Sequence, residues 1–140
     1  MFSALDISTS ALVAQRVRLN AISSNLANVT TTRSETGELQ PFQPRFVVFR
    51  TDDTVRSPEG AVGVQVSSVE TAATEPRWKY QPGHPDAIAE GPRRGWVAYP
   101  DVNLVEQSVD ALEATRAYEA NVGVIEITKN LTQTTLRILA

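Results

Sequence analysis

Apolar positions near the start of the chain recur on a seven-residue repeat. Leu5, Leu12, Leu19 and Leu26 form one column. Ser8, Gln15, Ile22 and Val29 follow three residues behind, so the second column is half polar. No proline or glycine interrupts the pattern before Gly37, and Ala4, Ala11, Ala14, Ala21 and Ala27 favour helix. The spacing predicts a helix over 3–28, about 39 Å long at the α-helical rise. Beyond Asn28, the β-branched run Val29-Thr30-Thr31-Thr32 disfavours its continuation.

A second helical pattern follows Pro100. Asn103 and Glu106 have the spacing of a capping box. From there Leu104, Ser108, Ala111, Thr115, Tyr118, Val122, Ile125, Lys129, Thr132, Leu136 and Leu139 advance in steps of four and three. Val105, Val109, Leu112 and Leu131 widen the stripe. Gly123 is the only glycine in this stretch, and its expected benefit is close approach of a neighbouring helix. An unbroken helix would be about 55 Å long.

All eight prolines and every glycine but Gly123 lie within residues 37–100. Arg45 to Arg50 reads as a strand bounded by charge. Val62, Val64 and Val66 alternate with Gly63, Gln65 and Ser67, the period of a half-buried strand. Trp78 with Tyr80, and Trp96 with Ala98 (or Val97 with Tyr99), give two further candidates, with the tryptophans expected in the core of the insert. Turn formers crowd Gln81 to Asp86, which predicts an ordered loop. The expected class is α+β, with long N- and C-terminal helices forming a coiled-coil-like pair around a small β-rich insert. The expected boundaries are 1–36 for the first helix and its following segment, 37–100 for the insert and 101–140 for the last helix.

Composition narrows the functional classes. Net charge is −3, with 13 basic and 16 acidic residues interspersed, so there is no basic tract to neutralise a nucleic-acid backbone. Cysteine is absent, which excludes disulfides, thiol chemistry and thiolate-bound metals. No apolar run is long enough to span a bilayer. The first twelve residues carry Asp6 and no basic region, unlike a cleavable secretory signal.

Candidate chemistry is sparse. His84 is the only histidine, and one imidazole with scattered carboxylates such as Asp86, Glu90 and Asp101 is poor provision for a metal or an acid–base pair. Its proline-rich setting favours a turn residue bonded to backbone. No serine in the first helix has a histidine partner there, and the Gly60–Gly63 stretch lacks the Lys-Ser/Thr of a phosphate loop. Catalytic, metal and cofactor sites are therefore expected to be none. Membrane activity is disfavoured because Arg18, Glu113 and Lys129 break the apolar stripes and no Lys/Arg-rich face is present. Arg16 and Arg18 are expected to be solvated or paired with a neighbouring subunit. A two-helix pair buries one face of each helix, and this seam contains Ser8, Gln15, Ser108, Thr115, Lys129 and Thr132. The pair is expected to be marginal in a monomer and to need neighbours.

Two runs carry a resemblance. Ala4 to Ser10, Ala14-Gln15-Arg16 and Asn25 to Thr32 look like the N-terminal signature of the flagellar rod and hook protein family. Ala114 to Asn121, reading Ala-Thr-Arg-Ala-Tyr-Glu-Ala-Asn, resembles its C-terminal motif. Tyr80 to Ala87 and Gly95 to Asn103 are similar to the proximal-rod members, while Glu90 to Arg94 departs from them as a short insertion. The resemblance implies a D0-type axial domain in a rod subunit that transmits torque from motor to hook. It implies export through the flagellar type III apparatus without processing. Implied partners are copies of itself, other rod subunits, basal-body ring and hook–basal-body components and the export apparatus, with no nucleic acid or small-molecule substrate. The residues expected to mediate subunit contact are Leu5, Leu12, Leu19, Ile22, Leu26, Asn28, Leu112, Arg116, Tyr118, Asn121, Val122, Ile125 and Leu136.

Overall fold

The structure, a computed structural model, describes the backbone of residues 2–139 and the side chains of residues 3–138. Leu139, the last member of the expected stripe, has its side chain outside that range. The order is α1 (Phe2–Ala27), β1 (Arg45–Arg56), β2 (Val62–Thr71), β3 (Arg77–Tyr80), β4 (Trp96–Tyr99) and α2 (Leu104–Leu139). This is the expected α+β arrangement of two long terminal helices around a small β-rich insert, whose strands pair antiparallel.

Helix α1 stops where the β-branched run begins. Asn28 closes its last turn, with the backbone N–H and Nδ2 both donating to the Ser24 carbonyl at 3.1 and 2.9 Å. Helix α2 starts on Asn103, whose Oδ1 accepts from the Val105 N–H at 3.1 Å and so satisfies one orphan donor of the first turn. Glu106 makes no return bond to Asn103 among the described residues, so only half of the capping box forms. It still places a negative charge in the first turn, as Arg137 places a positive one in the last.

The helices run antiparallel. Asn25, near the end of α1, bonds Gln107 near the start of α2, and Arg18 reaches Asp110 and Glu113 further along. Helix α2 has 36 residues against 26 in α1. Because the end of α1 is level with the start of α2, the surplus of about 15 Å extends past the beginning of α1.

Packing at this seam corrects the leucine columns read from the repeat. The buried contacts are Ala14 at 2% exposure, Ala21, Ile22 and Ala114 at 0%, while Leu5, Leu12, Leu19 and Leu26 are only half-buried. Alanines at the line of contact let the backbones approach closely, and the leucines flank it. Ile22 is thus consumed within the chain, contrary to its expected role at a subunit surface.

The insert forms two separate two-stranded ribbons. The β1–β2 ribbon, with register shifts after Val48 and after Asp52, packs on α1. Ser10 anchors it: its Oγ donates to the Ile7 carbonyl at 2.7 Å and accepts from the Val64 N–H at 3.1 Å. The neighbouring Gly63 is required by space, since a Cβ there would lie 2.9 Å from Val55 Cβ and 3.0 Å from Ser10 Oγ. The β3–β4 ribbon touches none of the other helices or strands. Asp86 in its loop ties it to the segment after α1, accepting from Thr32 Oγ1 at 2.5 Å and Arg33 Nε at 2.6 Å. Val97, with no exposed surface, and Val102 are the buried apolar residues here. Trp78 is half-buried and Trp96 is 38% exposed, so the tryptophans are not the core that the sequence pattern suggested.

Candidate assembly interface

Helix α2 contacts one other element, α1, and no strand. Its covered side is mostly small or polar, with Gln107, Ala111, Ala114, Ala117, Asn121, Thr128 and Thr132 buried or half-buried, and Val122 and Ile125 half-buried among them. This seam is rotated from the stripe that begins at Leu104. The rotation has a physical cause: α1 presents alanines and Asn25, which fit small and polar partners, so most of the large side chains other than Val122 and Ile125 turn outward.

They form a second stripe on the far side. Val105, Val109, Leu112, Arg116, Ala120, Gly123, Ile127, Leu131, Thr134 and Ile138 follow one another in steps of four and three. Val105 is 71% exposed, Ile127 61% and Ile138 79%. The stripe runs about 50 Å along the helix. Contiguous apolar surface beyond a few hundred Å² marks an interaction site in soluble proteins. Gly123 lies within it, and a Cβ added there would meet nothing within 4 Å. Nothing among the described residues of the same chain explains this glycine.

The expected contact residues divide into groups. Leu112, Arg116, Tyr118 and Leu136 are exposed on α2. Leu5, Leu12, Leu19, Leu26, Val122 and Ile125 are half-buried beside the helix seam. Asn121 is also half-buried, with Nδ2 donating to the Ala117 carbonyl at 2.8 Å, a local helical bond. Asn28 belongs to the turn after α1, where its Oδ1 accepts from Thr31 Oγ1 at 3.1 Å. Arg18, expected to be solvated or intersubunit, instead pairs across the helices with Asp110 at 3.2 Å and Glu113 at 3.3 Å.

Sequence reasoning missed Asn25 and Gln107, which join α1, β1 and α2. Nothing in the repeat distinguishes Asn25 from other polar residues of the helix. The outer stripe was discoverable, because the spacing from Val105 to Ile138 is visible once the phase is not tied to Leu104.

His84 behaves as a turn residue. Its Nδ1 accepts from the Asp86 N–H at 3.1 Å, and its ring meets Tyr99 edge-on at 6.3 Å. Among the described residues no group of three or more His, Cys, Asp or Glu side chains is placed to hold a metal ion. No described helix is long and apolar enough to cross a membrane.

Comparison with known proteins matches the two ends of the chain to two family models. Residues 5–33 match the family described as flagella basal body rod protein. Residues 93–138 match the family described as flagellar basal body rod FlgEFG protein C-terminal. Over nearly its whole length the chain is similar to proteins named flagellar basal-body rod protein FlgC. The one from Borreliella burgdorferi is 37% identical, covering 99% of this chain and 97% of the relative. That of Bacillus subtilis is 36% identical, covering 98% and 97%. That of Salmonella typhimurium is also 36% identical, covering 99% and 97%.

Proposed function

The chain belongs to the FlgC family of flagellar basal-body rod proteins, and from that premise we propose that it is a structural subunit of the proximal rod that polymerises through its terminal helices. The observation that carries this reading is the apolar outer stripe of α2, which has no partner among the described residues of its own chain. In the rod, neighbouring subunits cover it, and Gly123 admits a helix at short range. Leu112, Arg116, Tyr118 and Leu136 contact neighbours directly. The half-buried flanks at Leu5, Leu12, Leu19, Leu26, Val122 and Ile125 close over the same assembly, with Asn28 and Asn121 at its polar margin. Residues 1–36 and 101–140 serve as the axial domain, and residues 37–100 as the insert that sets contacts at larger radius. The subunit leaves the cytoplasm unprocessed through the flagellar type III apparatus and works within the basal body as part of the shaft between motor and hook. Its partners are copies of itself, other rod and ring components and the export apparatus. Its role is mechanical rather than enzymatic.

Complementation tests the reading. Cells lacking the gene are expected to form no rod and no hook, and the natural chain should restore both. A chain carrying Leu112→Asp and Ile127→Asp should be made and exported yet fail to build rods. Normal rods from that variant would overturn the reading.

A further inference from the structure

The β3–β4 ribbon presents an unpartnered face of unusual composition. Its register sets Trp78 opposite Ala98 and Tyr80 opposite Trp96, so the three rings share one side. Tyr80 and Trp96 meet edge to face at 5.7 Å, and the Arg93 guanidinium stacks 4.4 Å from the Trp78 ring centroid. Arg94 is exposed beside Tyr80 and Gly95. Tyr80 is 61% exposed. Ion pairs among the described residues involve Arg18, Arg33 and Arg56, leaving Arg93 and Arg94 without a carboxylate, while Arg77 and Lys79 alternate to the opposite side of the ribbon. Glu90 is the one acid in the 90–94 loop. Exposed Trp, Tyr and Arg together are the residue types that dominate binding energy at protein interfaces.

The outer face of α2 is its complement. Val105, Val109 and Leu112 form an exposed apolar ridge, with Glu106 and Glu113 one heptad apart along its flank. Glu106 has no basic partner among the described residues, and Glu113 remains 65% exposed despite its contact with Arg18. Rings with basic flanks on one surface match aliphatic side chains with acidic flanks on the other. The two surfaces do not meet within one chain, since neither β3 nor β4 contacts α2.

We propose that the aromatic–basic face of the β3–β4 ribbon in one copy docks on the glutamate-flanked ridge of α2 in a second copy. The inference rests on the polymer reading above and names one of its contacts. Such a contact is heterologous, joining different surfaces of identical chains, so it repeats from subunit to subunit rather than closing in a pair. Its charged rim makes association salt-sensitive, while the apolar centre supplies most of its persistence.

The natural chain has no cysteine, so introduced thiols report unambiguously. Full-length Pro92→Cys and Ser108→Cys chains, both altered at exposed positions beside the two surfaces, are mixed with a short bismaleimide. The mixed cross-link should exceed either homologous product at least fivefold at low salt. It should fall about tenfold when Arg93→Glu is added to the first chain, and recover when Arg93→Lys is used instead. Equal mixed and homologous yields, or a yield unmoved by Arg93→Glu, would overturn the proposal. Sedimentation of the unmodified chain separates the two levels. Polymerisation without the mixed preference rejects this contact alone, and a chain that stays monomeric at every concentration rejects both readings.

Discussion

The carboxamide of Asn25 pairs with the backbone of Arg45 as a neighbouring strand would. Its Oδ1 accepts from the Arg45 N–H and its Nδ2 donates to the Arg45 carbonyl, both at 2.7 Å. The second Nδ2 hydrogen goes to Gln107 Oε1 at 2.9 Å. With 2% exposure, one side chain thus locks α1 to β1 and to α2 while using both of its donors.

Truncation at this point should be costly, because Asn25→Ala removes the partner of a backbone N–H, a carbonyl and the Gln107 amide at once. A loss of about 2–3 kcal/mol is expected, within the range for a buried group whose partners are left unsatisfied. Asn25→Asp should be at least as damaging, since it turns a carboxylate toward two acceptors. Urea denaturation of the full chain checks both, and a loss below about 0.5 kcal/mol would contradict the bridging role.

Gln15 offers the opposite case. Its Oε1 is buried without a hydrogen-bond partner among the described residues. Replacing it by a side chain of similar size with no acceptor, Gln15→Leu, should stabilise the chain by about 1 kcal/mol, as removal of an orphaned group predicts. Thermal unfolding at matched concentration measures this, with a rise in Tm expected. A lowered Tm would mean that the amide nitrogen matters more than the stranded oxygen costs.

Asp86 supplies a pH dependence. The Thr32 hydroxyl bond, then the Arg33 guanidinium, hold its carboxyl below the usual value of 3.8. A carboxyl depressed in the folded state binds fewer protons there than in the unfolded chain. Its stabilising contribution is therefore complete above about that ordinary value and is lost as pH falls through the lower folded one. Asp86→Asn should flatten the acid limb of the stability profile below pH 4 or so, where carboxylates begin to protonate. An unchanged limb would show that the clamp does not set it.

Gly95 has φ of +81°, and a Cβ there would sit 2.8 Å from Tyr80 Cε2. Gly95→Ala should cost about 1–2 kcal/mol for the left-handed backbone alone, with more from displacement of the ring. Because Tyr80 packs on Trp96, the near-ultraviolet circular dichroism of the aromatic residues should change too. Loss of stability without a spectral change would separate backbone strain from the ring contact.

Much of this architecture was legible because it rests on local rules. The β-branched run after Asn28 ended α1, Asn103 capped α2, and alternating valines marked β2. These effects act within a few residues of the chain and need no knowledge of what packs against it. The insert was legible as strands, yet its division into two ribbons was not. Pairing partners are chosen by long-range register, and the bonds of Asp86 to Thr32 and Arg33 across more than fifty residues help to hold the second ribbon to the segment after α1.

The two terminal helices and their heptad spacing were thus determined by sequence alone, since helical period and capping are written in adjacent residues. Which face of each helix turns inward was decided only by tertiary structure. Two apolar stripes share α2, and the spacing cannot say which is covered. Close contact with Ala14, Ala21 and Asn25 of α1 selected the small and polar line through Ala114, because small side chains let the backbones approach and a buried amide demands its partners. That choice left the large aliphatic residues from Val105 to Ile138 facing out, where another chain can meet them.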